Sequence, residues 1–298
     1  DPNFDAAYEP ENWKLAVNNE NFRKSIVHAF NRMPALATND RIDPESLKNN
    51  TITPNAFASA SKDYTYYDGL AAYTDGDNFD EALAQEYKTT AIEELTAAGA
   101  TFPVKMLMCY NPTSANWAQE CQVVEQQIEG VLGADYVDII IQAGPETGFL
   151  GAIRRTGNYA FMKCNWGADY ADPETWTDPF STDSSYSFIF KSTDPTTQAL
   201  YAEYTELVNA AKAITDDMDA RYAAFAKAET FLLDHAFAIP FSISNRSYQM
   251  CNLNIFEGQY ASFGMANQRY KDQHLYDTSM SLEEYQAAYA EWQSKMAG

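Results

Sequence analysis

Val104-Lys105-Met106-Leu107-Met108-Cys109 and Tyr136-Val137-Asp138-Ile139-Ile140-Ile141 are two short, nearly unbroken apolar runs separated by one helical pattern. Continuous hydrophobicity over so few residues reads as a strand buried on both faces rather than as a surface helix. The intervening residues 118–132 read as the helix that carries the chain back to the same end of the sheet. Strand, helix and strand in this order make a β-α-β unit, the natural seed of a parallel pair.

Outward from this unit, helical and strand patterns continue to alternate, which predicts an α/β fold. Upstream, Phe22, Ile26, Val27 and Phe30 share one face of a helix over 21–32, which Pro34 is expected to end. Residues 42–76 are rich in Pro, Asn, Ser and Tyr and read as a long excursion with short elements. A helix over 80–98 is expected to bury Leu83, Tyr87, Ile92 and Leu95 and to stop at Gly99. Downstream come a short helix over 146–155 and a strand over 159–164. Tyr201, Tyr204, Leu207, Val208 and Ala211 stripe one long helix; Tyr222, Phe225, Glu229, Leu232 and Leu233 stripe a second. An apolar strand over 237–243 carries Pro240. Residues 247–278 are irregular in pattern, and 281–297 close as a helix with Ser281 and Glu284 spaced as a capping box.

The chain has 298 residues, 20 Lys and Arg against 42 Asp and Glu, and a net charge of −22. Such a surface repels phosphate backbones and anionic lipid, so nucleic-acid and membrane-surface binding are not expected. No apolar stretch approaches the roughly 20 residues that span a bilayer. The opening Asp1-Pro2-Asn3-Phe4-Asp5 lacks the basic head and apolar run of a signal peptide. The chain therefore reads as a piece of something longer, or as a mature protein that begins at Asp1. The 20 Tyr, 17 Phe and 5 Trp suit both a packed core and a wet, adaptable cleft.

Catalytic and metal templates do not fit. The widely spaced Cys109, Cys121, Cys164 and Cys251 do not make a zinc site; they admit either one bridge, between Cys109 and Cys164, or four free thiols. His28, His235 and His274 lack ligand-spaced partners and read as structural or solvated. Asp216, Asp217 and Asp219 lack the glycine and closing glutamate of a calcium loop and instead suit the cap of a helix starting near Met218. An Asp169–Asp172 glycosidase pair carries little weight in so acidic a chain. No cofactor and no enzyme activity are expected.

One segment is more specific: Asn165-Trp166-Gly167-Ala168-Asp169-Tyr170-Ala171-Asp172-Pro173, directly after an expected strand. Ligands of open α/β sheets bind at strand ends. An aromatic face (Trp166), a carboxylate (Asp169) and a phenol (Tyr170) cluster there. A desolvated carboxylate suits a cationic group such as a peptide amino terminus, because a charge-assisted bond replaces the lost water. The same residues read equally as a strand-to-helix turn, with Asp169 capping and Pro173 opening the helix.

This segment resembles the signature of the family 5 extracellular solute-binding proteins, the oligopeptide and dipeptide receptors. Asn21-Phe22-Arg23-Lys24-Ser25-Ile26 with Ala29-Phe30-Asn31-Arg32 is similar to a helix of that family, with Phe22 and Asn31 as departures. Thr51-Ile52-Thr53-Pro54, Ala91 to Gly99, and Ala228-Glu229 through Phe241 agree in order. The opening and the Phe256-Glu257-Gly258 to Tyr285 tail resemble the Gram-positive lipoproteins of the family.

The resemblance implies a lobe of a type II periplasmic-binding-protein fold: a mixed sheet flanked by helices over 1–246, and an irregular extension over 247–298 that would pack toward an N-terminal lobe not present here. It implies an extracytoplasmic, lipid-anchored receptor that delivers oligopeptides to ABC-importer permease subunits, with signal and anchor elsewhere. By the same resemblance Asp169 meets the peptide amino group and Trp166 lines a side-chain pocket. Lys163 and, more loosely, Arg154 hold peptide. Gly167 contributes no side chain, and Ser242 and Ser244 approach the cleft. A metal chelate, haem, sugar or signalling peptide, or a sensing module without an importer, are alternative readings; a glycosidase or peptidase is the least favoured.

Overall fold

The computed structural model describes residues 2–67, 69–186, 191–243, 251–258 and 270–296. Strands β1 (Val104–Tyr110) and β2 (Val137–Ala143) are parallel, in register from Val104 opposite Val137 to Tyr110 opposite Ala143. Helix α6 (Trp117–Leu132) is the crossover between them. Val104 and Met106 through Cys109 are all buried, which is why the β1 run does not alternate. Among the described residues β2 pairs with β1 alone. The Ile139 amide of β2 donates instead to Glu129 Oε1 of α6, at 2.7 Å.

Helices α1 (Pro10–Asn18), α2 (Glu20–Ala29) and α3 (Arg32–Leu36) lie upstream of this unit. The chain breaks at Phe30, not at Pro34. Asn31 caps α3 through Met33 N, and Pro34 sits in the first turn, where amides have no intrahelical acceptor to lose. The excursion over 42–76 holds only short elements, among them α4 (Leu70–Thr74). Helix α5 (Glu81–Ala97), capped by Asp80, packs on α2. Its buried line is Ala84, Ala91 and Leu95, while Leu83, Tyr87 and Ile92 are only partly covered. Small side chains let the two backbones approach, so the alanines take the inner face.

Two clusters divide the core. One surrounds the β-α-β unit and includes Phe22, Ile26, Leu107, Ile128 and Tyr136. The other lies between α8 (Pro195–Lys212) and α9 (Met218–Asp234) and includes Tyr64, Tyr204, Val208 and Phe225. The short α7 (Glu174–Thr177) lies against α9. Asp217 accepts from Ala220 N and caps α9, as its place in the acidic run suggests. Helix α10 (Leu282–Met296) starts with the capping box: Ser281 N donates to Glu284 Oε2 and Glu284 N to Ser281 Oγ.

Two stretches expected as strands carry isolated bridges only. In 159–164, the amides of Ala160 and Phe161 both converge on Leu107 O, at 2.8 and 3.1 Å. The ladder therefore does not advance along β1, and a single parallel bridge joins Met108 to Phe161. In 237–243, Pro240 has no amide to give, and the antiparallel pairing is confined to Lys48 and Ser242. The regular sheet among the described residues is the parallel pair, and its mixed character resides in these bridges. Residues 146–155 contain a π-helical turn, Leu150–Arg154.

All four cysteines are free thiols, so the Cys109–Cys164 bridge is not formed. The histidines are satisfied locally: His28 by Asn78 O, His235 by Glu20 and His274 by Glu257. Among the described residues no helix is long and apolar enough to cross a membrane.

Candidate ligand-binding cavity

A cavity of about 1060 Å³ opens beside the β-α-β unit. Its walls come from α1 and α2, the inner face of β1, the start of α6, residues 154–166 and the 236–243 segment. Arg32 ties the last of these in place: it donates to Asn49 O at 2.6 Å and Pro240 O at 3.0 Å, and Asn49 N in turn donates to Phe241 O. Glu229 of α9 holds a second wall segment. Its carboxylate accepts from the Ile52 and Thr53 amides at 2.7 and 3.0 Å, from the Thr53 hydroxyl at 2.7 Å and from Tyr64 at 3.0 Å.

Trp166 lines the cavity. Its Nε1 donates to Thr175 O at 2.6 Å, and its ring meets Tyr186 edge-on, with centroids 4.6 Å apart. Lys163 also lines it. The Lys163 ammonium pairs with Glu120 at 2.5 Å and lies over the rings of Trp117 and Phe241, at 5.1 and 5.9 Å. The second oxygen of Glu120 accepts from Asn39. Arg154 reaches Cys164 Sγ at 3.2 Å, and both residues are in the wall together with Ser242. Thus Trp166, Lys163, Arg154 and Ser242 share one concave surface. Ser244 lies outside the described residues.

The remaining expected residues lie elsewhere. Asp169, Gly167 and Tyr170 are exposed and are not part of the lining. In this lobe Asp169 sits on an open, exposed loop rather than in a desolvated position, and its carboxylate makes no hydrogen bond or ion pair among the described residues. Its amide anchors the loop instead, donating to Thr175 Oγ1 at 3.0 Å. Tyr170 is held in its neutral form, its hydroxyl pushed up to about 12 by desolvation and by the nearby Glu174, Asp172 and Asp178 carboxylates.

The turn reading of this loop is half right. Pro173 is the N-cap of α7, and Asp172, not Asp169, is the carboxylate tied to the helix start: its Oδ1 accepts from Glu174 N at 2.9 Å. The same carboxylate receives Arg221 of α9 through two bonds, Nε to Oδ2 at 2.9 Å and Nη2 to Oδ1 at 3.0 Å. Asp172 is committed to this fork, so the Asp169–Asp172 pair has no second carboxylate free for hydrolysis. Asp172→Ala is expected to destabilise the chain by about 2 kcal/mol, since it removes a two-bond ion pair from the buried Arg221 guanidinium, which keeps only Glu174 and the carbonyls of Ala211, Lys212 and Ile214. The Asp172→Ala, Arg221→Met double variant should cost less than the sum of the two, as urea unfolding would show.

Sequence reasoning missed Lys14, Lys191 and Glu120, all in the lining. No local signal marks them. Asn18 brings two of them together: it accepts from Ser192 Oγ at 2.7 Å and donates to Lys14 O at 2.8 Å, so the Lys191 segment docks on α1.

The model of the bacterial extracellular solute-binding proteins, family 5 (middle region), matches residues 3–188. The oligopeptide-binding protein AmiA of Streptococcus pneumoniae is 27% identical over 318 residues, covering 95% of this chain and 48% of the relative. AliA of the same species is 28% identical over 313 residues, covering 94% and 47%. The chain thus spans about half the length of the curated relatives it matches. The substrate-binding domain of an oligopeptide ABC transporter from Bacillus anthracis superposes with a TM-score of 0.62 at 23% identity, over 77% of this chain and 40% of that one. At that identity the likeness speaks to the fold: an α/β lobe of the type II periplasmic-binding-protein kind.

Proposed function

The chain belongs to the family 5 bacterial extracellular solute-binding proteins, and from that premise we propose that it forms one lobe of an oligopeptide receptor that serves an ABC importer. The family is one of solute binders rather than enzymes, and its place is extracytoplasmic. The finer placement, a cell-surface lipoprotein anchored outside this chain and docking on permease subunits, is part of the proposal. So is the assignment of 247–298 as an extension that packs on a facing lobe; the exposed Tyr285 and Tyr289 of α10, stacked on each other and tilted against Phe256, suit such a contact.

The observation that carries the reading is the cavity wall shared by Trp166, Lys163, Arg154 and Ser242. Its volume is of the size that takes several side chains at once. Main-chain groups of an extended peptide are held as in strand addition, and side chains occupy hydrated pockets. A hinge motion brings the second lobe over the ligand. In that closed form Asp169, free of local bonds, is the carboxylate for the peptide amino group, and Tyr170 beside it donates from a neutral hydroxyl.

Calorimetry of the full-length receptor with tri- to octapeptides tests this, and micromolar binding is the expected result. Asp169→Ala should weaken binding by about 2 kcal/mol, roughly 30-fold. N-acetylated peptides should show the same loss and no sensitivity to the substitution. Free and acetylated peptides that bind alike, with and without Asp169, would remove this residue from the site.

A further inference from the structure

The cavity has the opposite charge to the molecule around it. Among the described residues its lining contains Lys14, Arg23, Arg154, Arg155, Lys163 and Lys191 but a single carboxylate, Glu120. Those are six of the chain's 20 Lys and Arg and one of its 42 Asp and Glu, in a protein of net charge −22. Random placement would favour acids in the wall by about two to one. We infer that the cavity selects anionic peptides, those whose side chains carry carboxylates, a refinement that rests on the oligopeptide-receptor reading above.

The one carboxylate cannot oppose such a ligand. Glu120 is buried, one oxygen bound to Lys163 and the other to Asn39. Arg23 is also buried, and among the described residues it donates to the carbonyl oxygens of Val17 and His235 and makes no direct ion pair. The other cations gather at one rim. Arg154 and Arg155 end the π-helical turn, Lys191 Nζ donates to Arg155 O at 3.0 Å, and the Asn18–Ser192 bond brings the Lys191 segment to Lys14. Three separate stretches of chain thus converge with the same sign of charge.

Range decides which field the ligand feels. The acidic outer surface is screened within about 8 Å at physiological salt. The rim cations touch the cavity itself, where low-dielectric walls focus their potential. A carboxylate side chain entering the cavity meets the local cations at short range and the global negative charge only after screening.

The test is calorimetry of the full-length receptor with three tetrapeptides, Ala-Glu-Glu-Ala, Ala-Ala-Ala-Ala and Ala-Lys-Lys-Ala, at low and high sodium chloride. The acidic peptide should bind at least about tenfold more tightly than the basic one at low salt, and the ratio should shrink at high salt. The Arg155→Gln, Lys191→Gln double variant should bring the ratio below about threefold, which a purely structural role for these residues would not do. Comparable affinity for all three peptides overturns the charge selectivity and leaves the peptide receptor standing. Binding of none of them overturns both. A preference for the basic peptide, or an acidic preference that survives the double substitution, overturns the assignment to this rim.

Discussion

Replacing Glu229 by alanine is expected to cost about 3–5 kcal/mol of folding stability, one of the two largest effects in the chain. The side chain is fully buried, and four donors on three residues, Ile52, Thr53 and Tyr64, converge on it. Alanine leaves all of them without acceptors in an apolar core and opens a cavity beside Phe225 and Leu232, which share that core. Thermal or urea unfolding measures the loss directly. A cost below 1 kcal/mol would show that water or a local shift satisfies the donors.

The same residue gives a pH signature. Burial pushes the Glu229 carboxyl from its ordinary 4.5 up to about 7, against the hydrogen bonds, which favour the charged form. When protonated it can donate to the Thr53 or Tyr64 hydroxyl, each of which can reverse its bond. Below about pH 4.5 the group is protonated in both folded and unfolded chains, and its contribution is fully present. As pH rises from there to about 7 the unfolded chain ionises first, and stability is lost by about 3 kcal/mol; above that window the loss is complete. Glu229→Gln should remove this slope while lowering stability at every pH.

The second large effect is at Arg32. Arg32→Met is expected to destabilise by about 3–5 kcal/mol. The guanidinium is almost fully buried and bonds Asn49 O, Pro240 O, Asn50 Oδ1 and, at 3.3 Å, Asp77. Methionine keeps much of the volume but leaves two buried carbonyls without donors, and those carbonyls hold the Pro240 wall of the cavity against the Asn49 turn. Arg32→Lys should recover only part of the loss, because a single ammonium cannot span the planar fork. Full recovery by lysine would show that charge alone, and not geometry, matters here. Urea midpoints of the three proteins decide between these outcomes.

The elements that could be read from sequence are those whose cause is local. β1 announced itself because a strand covered on both faces needs unbroken hydrophobicity, and β2, buried fully only at Val137 and Ile139, carries a similar apolar run. Asp217 and Ser281 marked helix starts because a cap acts within three residues. What failed was set from a distance. Residues 159–164 have a strand's composition, yet their amides meet one carbonyl of β1 and the ladder stalls. Beside the expected Leu95, the inner face of α5 uses Ala84 and Ala91, which a hydrophobicity pattern ranks below Leu83 and Ile92 and which close packing on α2 prefers.

The site divides along the same line. Trp166 and Lys163 could be found because they sit in or beside a recognisable run. Asp172 was misjudged since its partner, Arg221, lies on another helix, and the cap was credited to Asp169 instead. Lys14 and Lys191 had no signal at all: only the docking of one segment on another brings them to one rim. Charge summed over the chain pointed to an acidic surface and could not reveal a basic interior.

The bond from the Ile139 amide to Glu129 reaches beyond the lobe's own architecture. Among the described residues β2 is a border of the sheet, a row of apolar residues to which a stray chain could add itself and begin a fibre. Filling one main-chain donor there with a side-chain oxygen makes that border a poorer template for a stray chain.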